Sequence, residues 1–213
     1  MSALLKKHSF DTVFDSQQVF RLILDAIAHP GRIINISCYH SKFAACKDGN
    51  LPPAGAHCVS RQYGDYPEFL AMAMTLLDNE VSYNTCDNHY LADEIMSLTL
   101  AKQATVGDAD FIFVCDPKDI DDIIANAKCG TLSDPHKSST VVIHNSGEHV
   151  YRLRLSGPGI NSHTEVPATL TVREAIKVRD AQNYEYPQGI DLFFLSSEGD
   201  LFAIPRLTHM EVL

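Results

Sequence analysis

Three side chains near the end of the chain could hold an anion. In "FAIPRLTHMEVL" a guanidinium (Arg206), a hydroxyl (Thr208) and an imidazole (His209) lie close together, and an arginine fork suits a phosphate-like group. The same arginine has a second use. Asp191 opens the apolar run "DLFFL", and a strand buried on both faces leaves a carboxylate in need of a partner. A hairpin turn centred on Glu198 and Gly199, with a loop of two or four residues, sets Asp191 opposite Arg206. That carboxylate already accounts for the arginine. A structural ion pair between Asp191 and Arg206 is therefore the first expectation, and an anion site at Arg206, Thr208 and His209 is the alternative. Pro205 cannot donate to a ladder, which fits the point where pairing stops.

Other chemistry-bearing residues fall short of a pattern. "GTLSDPHKSST" carries Lys137 and Ser138 after a glycine, but a phosphate-binding P-loop needs glycines where Thr131 and His136 stand, and Pro135 lacks an amide. "SGPGI" lacks the three-glycine dinucleotide spacing and reads as a turn. Cys86 with His89 has a zinc-like spacing, yet neither His144 with His149 nor His57 with Cys58 completes the two-pair pattern of a structural zinc site. No sequence feature supplies a base for Cys129. No metal site, cofactor or catalytic residue is identified from these patterns.

The positioning elements follow from periodicity. Phe20, Ile23, Leu24 and Ile27 recur at helical spacing from Ser16 to Ala28, and "HPG" ends the helix. "RIINISCY" reads as a strand, and residues 41–64, with their prolines and glycines, as a loop insertion. Helices follow at about 66–77 and 88–100, around the strand "VSYNT". In "FIFVCDPKDIDDIIANAKCG" a buried strand leads to Asp116 as N-cap, Pro117 at the first helical position and Gly130 as the stop. "STVVIHN" and "VYRLRLSGPG" are expected to form a hairpin, a helix spans about 169–181, and the closing hairpin completes the sheet. The order of elements predicts an α/β fold with a mixed sheet flanked by helices.

Composition narrows the function classes. The 213 residues suffice for one domain, 1–213, with a substantial core. A net charge of -10 repels phosphate backbones and anionic headgroups, which argues against nucleic-acid and membrane partners while leaving room for a local anion pocket. The longest apolar run is far shorter than a membrane span and the start lacks a signal-peptide core, so a cytoplasmic location and reduced cysteines are expected.

Several segments resemble one family. "YPQGIDLFFL" with "FAIPRLTHMEV" is similar to the C-terminal signature of PhnH, a subunit of the bacterial carbon-phosphorus lyase system; "VFRLILDAIAHPGRI" resembles that family's first helix, "TLLDNEV" its Leu-Asp segment and "LRLSGPGI" its Gly-rich turn. "GTLSDPHKSSTVV" is similar too, with Ser138 and Ser139 where members usually carry Gly-Ala, and 41–64 looks longer than in the family. Arg21, Pro30, Gly31, Asp78, Gly189, Asp191, Pro205 and Arg206 match family positions.

The resemblance implies a fold like the large domain of pyridoxal-phosphate transferases, without that cofactor; Lys137 is the only lysine in a loop plausible for a Schiff base. It implies an accessory subunit, a homodimer working with PhnG, PhnI, PhnJ and PhnL-like subunits to attach a phosphonate to the ribose of ATP with loss of adenine. It transfers no catalytic residue. The chain has no cysteine triplet for an iron-sulfur cluster, so the radical cleavage step falls to another subunit. The alternative is a stand-alone enzyme or binding protein for a small phosphate or phosphonate ester. The accessory role predicts an exposed apolar patch; the alternative predicts a pocket at the closing hairpin.

Overall fold

The computed structural model describes residues 8–43 and 66–213. The expected insertion at 41–64 lies, from residue 44 onward, outside the described residues.

Helix α1 (Phe14–Ala28) begins where Asp11 Oδ1 accepts the amides of Val13 and Phe14, each at 2.8 Å. The apolar spacing makes a helix as expected, but the buried residues are Val19, Ile23 and Ala26. The expected first strand shrinks to β1 (Ile34–Asn35), because a 3-10 helix (Ser37–Lys42) takes over at once. Helix α2 (Pro67–Leu76), strand β2 (Ser82–Asn84) and helix α3 (His89–Thr99) match the expected order. Strand β3 (Lys102–Gln103) was not expected from the sequence pattern.

Strand β4 (Phe111–Val114) is followed by a 3-10 turn (Pro117–Asp119) and then by α4 (Ile120–Asn126). The Asp116 carboxylate accepts the Lys118 amide as a cap, but the helix stops at Asn126, before Gly130. Strand β5 (Thr140–His144) does not form the expected hairpin with β6 (Tyr151–Ser156). Val141, Val142 and Ile143 are all buried, which suits a central parallel strand, whereas β6 buries only alternate residues and belongs in a one-faced sheet. Strand β7 (Thr164–Ala168), helix α5 (Leu170–Ala181), the hairpin of β8 (Asp191–Leu195) and β9 (Asp200–Ile204), and β10 (His209–Val212) complete the chain.

The main sheet has seven strands in the order β1-β9-β8-β5-β4-β2-β3, and a second sheet has three in the order β10-β6-β7. From β3 through β8 the strands are parallel, and β9 runs against both its neighbours. One core lies between this sheet and α1 to α3, using Phe113, Val142 and Phe193. The other lies under α4, α5 and the small sheet, using Ile112, Val141 and Phe194. Alternation along each strand thus feeds both layers, as a sheet covered on both sides demands.

The closing hairpin corrects the expected register by one residue. Leu192 pairs with Ile204 and Leu195 with Leu201, because Gly199 at φ 80° closes an odd loop in which the Ser196 amide donates to Asp200 O at 2.9 Å. Two- and four-residue loops both miss this.

Candidate functional site

The Asp191 and Arg206 side chains meet despite the register shift. Arg206 donates its backbone amide (2.8 Å) and Nε (3.3 Å) to Asp191 Oδ1, Nη2 to Asp191 Oδ2, and Nη1 to Pro135 O (2.7 Å). Gly189 gives the arginine room, since a Cβ there would meet Arg206 Cβ at 2.9 Å. The guanidinium therefore faces protein acceptors. Thr208 is buried with its hydroxyl unpartnered among the described residues, and His209 is exposed at the start of β10. The structure brings Arg206 to Asp191 and does not gather Arg206, Thr208 and His209 around one point.

A second arginine in this region went unnoticed in the sequence. Arg179 is 2% exposed and donates to Ile204 O, Pro205 O and Thr208 O at 3.1, 3.1 and 2.6 Å, and to the Asp180 carboxylate. Its signal was positional: it falls on the buried face of α5 with Val172, Ala175 and Ile176, at helical spacing.

A different set of groups collects at the carboxyl ends of the parallel strands. Strand β3 lies on one side of β2, and β4, β5 and β8 lie on the other, so the gap between β2 and β4 is the topological switch point where α/β sheets place ligands. Beyond it stand Cys86, Asn88 and Cys115, with His144 closing β5 and the first turn of α2 above. The Asn88 amide donates to Cys115 Sγ at 3.3 Å. His144 meets the rings of Tyr66 and Phe69 edge-on at 5.8 and 6.3 Å. Cys86 and Asp87 both hold left-handed backbone, at φ 48° and 64°, a costly conformation for residues with a Cβ.

Glu68 is the unusual member. It is 2% exposed, and the group facing it is His40, whose Nε2 lies 3.8 Å from Oε2 and has no hydrogen bond among the described residues. Burial pushes the Glu68 carboxyl up to about 7, against a backbone hydrogen bond that favours the charged form. Burial also lowers His40, opposed by the nearby Glu198, and lowers His144. It pushes the Cys86 and Cys115 thiols up to about 11 and about 12. All five shifts favour the neutral form, so neither thiol is a ready nucleophile near neutral pH. The sequence signal was a lone carboxylate in the apolar helix "PEFLAMAMTL".

The remaining candidates are dispersed. Among the described residues no group of three or more His, Cys, Asp and Glu side chains could hold a metal ion; His57 and Cys58 lie outside those residues. Lys137 is exposed and pairs with Asp134 at 3.1 Å, and Cys129 Sγ lies 4.0 Å from the Gln188 amide.

Comparison with known proteins settles the family. A model described as bacterial phosphonate metabolism protein (PhnH) matches residues 8–211. The chain belongs to the PhnH family. A relative in Stutzerimonas stutzeri, named putative C-P lyase subunit protein HtxG, is 24% identical over 198 residues, covering 92% of this chain and 86% of its own length.

One further surface feature of this PhnH-family chain bears on function. On α1, Phe20, Leu24 and Ile27 are 44%, 47% and 41% exposed, and Val13 before them is 68% exposed. Steps of seven, four and three residues put these side chains along one flank of the helix. Among the described residues no helix is long and apolar enough to cross a membrane.

Proposed function

We propose that the chain is an accessory subunit of a carbon-phosphorus lyase assembly in the cytoplasm. In this reading it works with PhnG, PhnI, PhnJ and PhnL-like subunits while a phosphonate is attached to the ribose of ATP with loss of adenine, giving ribose 1-phosphonate 5-triphosphate. Membership of a phosphonate-metabolism family and a relative named as a C-P lyase subunit support the setting. The observation that carries the accessory role is the apolar flank of α1, a surface that a subunit buries on docking. A homodimer in the absence of the other subunits belongs to the same proposal. So does the likeness to the large domain of pyridoxal-phosphate transferases, supported by the mixed sheet between its two layers.

The stand-alone ester site lacks comparable support, because the donors of Arg206 already face Asp191 and Pro135. Co-expression with the sister subunits, followed by size-exclusion chromatography, tests the accessory role. The expected result is one large co-eluting species that the Phe20→Asp, Leu24→Asp double variant no longer joins. Separate elution alongside soluble partners would remove the proposal.

A further inference from the structure

We propose that the contact between Glu68 and His40 is a proton-operated catch that seats the Ser37–Lys42 helix on α2. The inference is independent of the docking role and starts from geometry. That short helix is a strap across three elements. The Ile36 amide ahead of it donates to Gly199 O at 2.8 Å, tying it to the β8–β9 turn. At its far end Lys42 Nζ pairs with Asp15 Oδ2 of α1 at 2.6 Å, and Lys42 O accepts the Ser9 amide at 2.7 Å. Between these anchors, Tyr39 packs in the core cluster that includes α2, and His40 meets Glu68 of α2.

The two side chains have a usable proton between them. With Glu68 protonated the contact is neutral, and a small inward shift from 3.8 Å lets its O–H donate to His40 Nε2, an imidazole nitrogen with no hydrogen bond among the described residues. With that proton gone, a carboxylate remains in a site closed to water, and no lysine or arginine among the described residues forms an ion pair with it. Opening the strap lets water reach the charge. The surrounding titratable groups do not neutralise it: burial holds Cys115 and Cys86, beyond β4 and β2, and His144 on β5 toward their uncharged forms, the phenol of Tyr66 ahead of α2 brings no positive charge, and Glu198 in the β8–β9 turn adds negative charge near His40. Tyr39 and Cys38 flank His40 on the strap, and Lys42 is already engaged with Asp15.

The sign of the effect follows. Burial pushes the closed carboxyl up to about 7 while an opened one returns to its ordinary 4.5, so between these values the closed form binds more protons and loses ground as pH rises. The opening equilibrium attributable to Glu68 therefore rises about tenfold per pH unit in that window and levels off above it. His40 acts in the opposite sense below its ordinary value, which is why a comparison at each pH isolates the acid.

Amide hydrogen exchange of residues 37–42, divided by the intrinsic rate from pH 5 to 8.5, is the experiment, run on the whole chain and on Glu68→Gln. The expected result is a wild-type to variant ratio of opening constants that climbs about tenfold per pH unit up to about 7 and then stays flat. A ratio independent of pH overturns the proposal. Strap amides no less protected than those of α5 at every pH also overturn it, since they would then exchange only through global unfolding. If Glu68→Gln fails to fold, carbon-13 titration of the wild-type Glu68 carboxyl decides: a midpoint near 7 sustains the catch, and one in the ordinary carboxylate range sinks it.

Discussion

Asp191 and Glu68 are two carboxylates with opposite solutions to burial. Asp191 is left partly exposed and receives a guanidinium in two-pronged contact plus a backbone amide. Glu68 is almost fully buried, and the charge partner nearest it among the described residues is the His40 imidazole, beyond hydrogen-bonding distance. The first arrangement keeps a charge and holds the chain end in place. The second keeps a proton, and its stability depends on pH. Compensated charge thus marks the closing hairpin, while an acid without a cationic partner among the described residues marks the strap on α2.

Breaking the compensated region should give the largest effects. Arg179→Met removes the guanidinium from the carbonyls of Ile204, Pro205 and Thr208, of which Pro205 O keeps the Thr208 amide, and should cost about 4 kcal/mol in urea unfolding. Arg206→Lys keeps the charge but loses the fork, and about 2 kcal/mol is expected. A double-mutant cycle on Asp191 and Arg206 should show coupling of about 1–2 kcal/mol; zero coupling would mean that the pairing adds nothing. The comparison sharpens at Glu68. Its carboxyl is raised to about 7, so its contribution is fully present below pH 4.5 and is lost as pH rises through 7. Glu68→Gln should then be more stable than wild type by about 2 kcal/mol at pH 8, with the difference vanishing near pH 4.5, as thermal melts at both values would show. The smallest effect on folding belongs to Phe20→Asp with Leu24→Asp, within about 1 kcal/mol, because both side chains already face solvent.

What could be read from the sequence divides along physical lines. The α/β layering was legible because "FIFVC" is apolar throughout and leads into the capped helix that begins at "DP". Strands of two residues, such as β1 and β3, are too short for any period to register. The β5–β6 hairpin was mistaken because adjacency in sequence cannot say which of two sheets a strand joins. At the candidate site, the Asp191 partner was legible from the need of a buried carboxylate for a cation, even though the hairpin register used with it was off by one residue. Arg179 and Glu68 were not singled out, although each is a charged residue on an apolar helical face. The contact of Glu68 with His40 joins residues with many positions between them, and only the fold brings these together.

The place of α1 in its layer has a further consequence. Helices α1, α2 and α3 pack as a row, α1 against α2 and α2 against α3, and the apolar flank of α1 lies on one end member. The neighbouring edge strand β1 is two residues long, too short a template for strand addition. A partner seated on α1 would extend the row by side-chain packing, so that quaternary structure continues the tertiary layer. Such a joint would weaken on cooling and respond little to ionic strength, the reverse of what the chain's acidic surface would suggest.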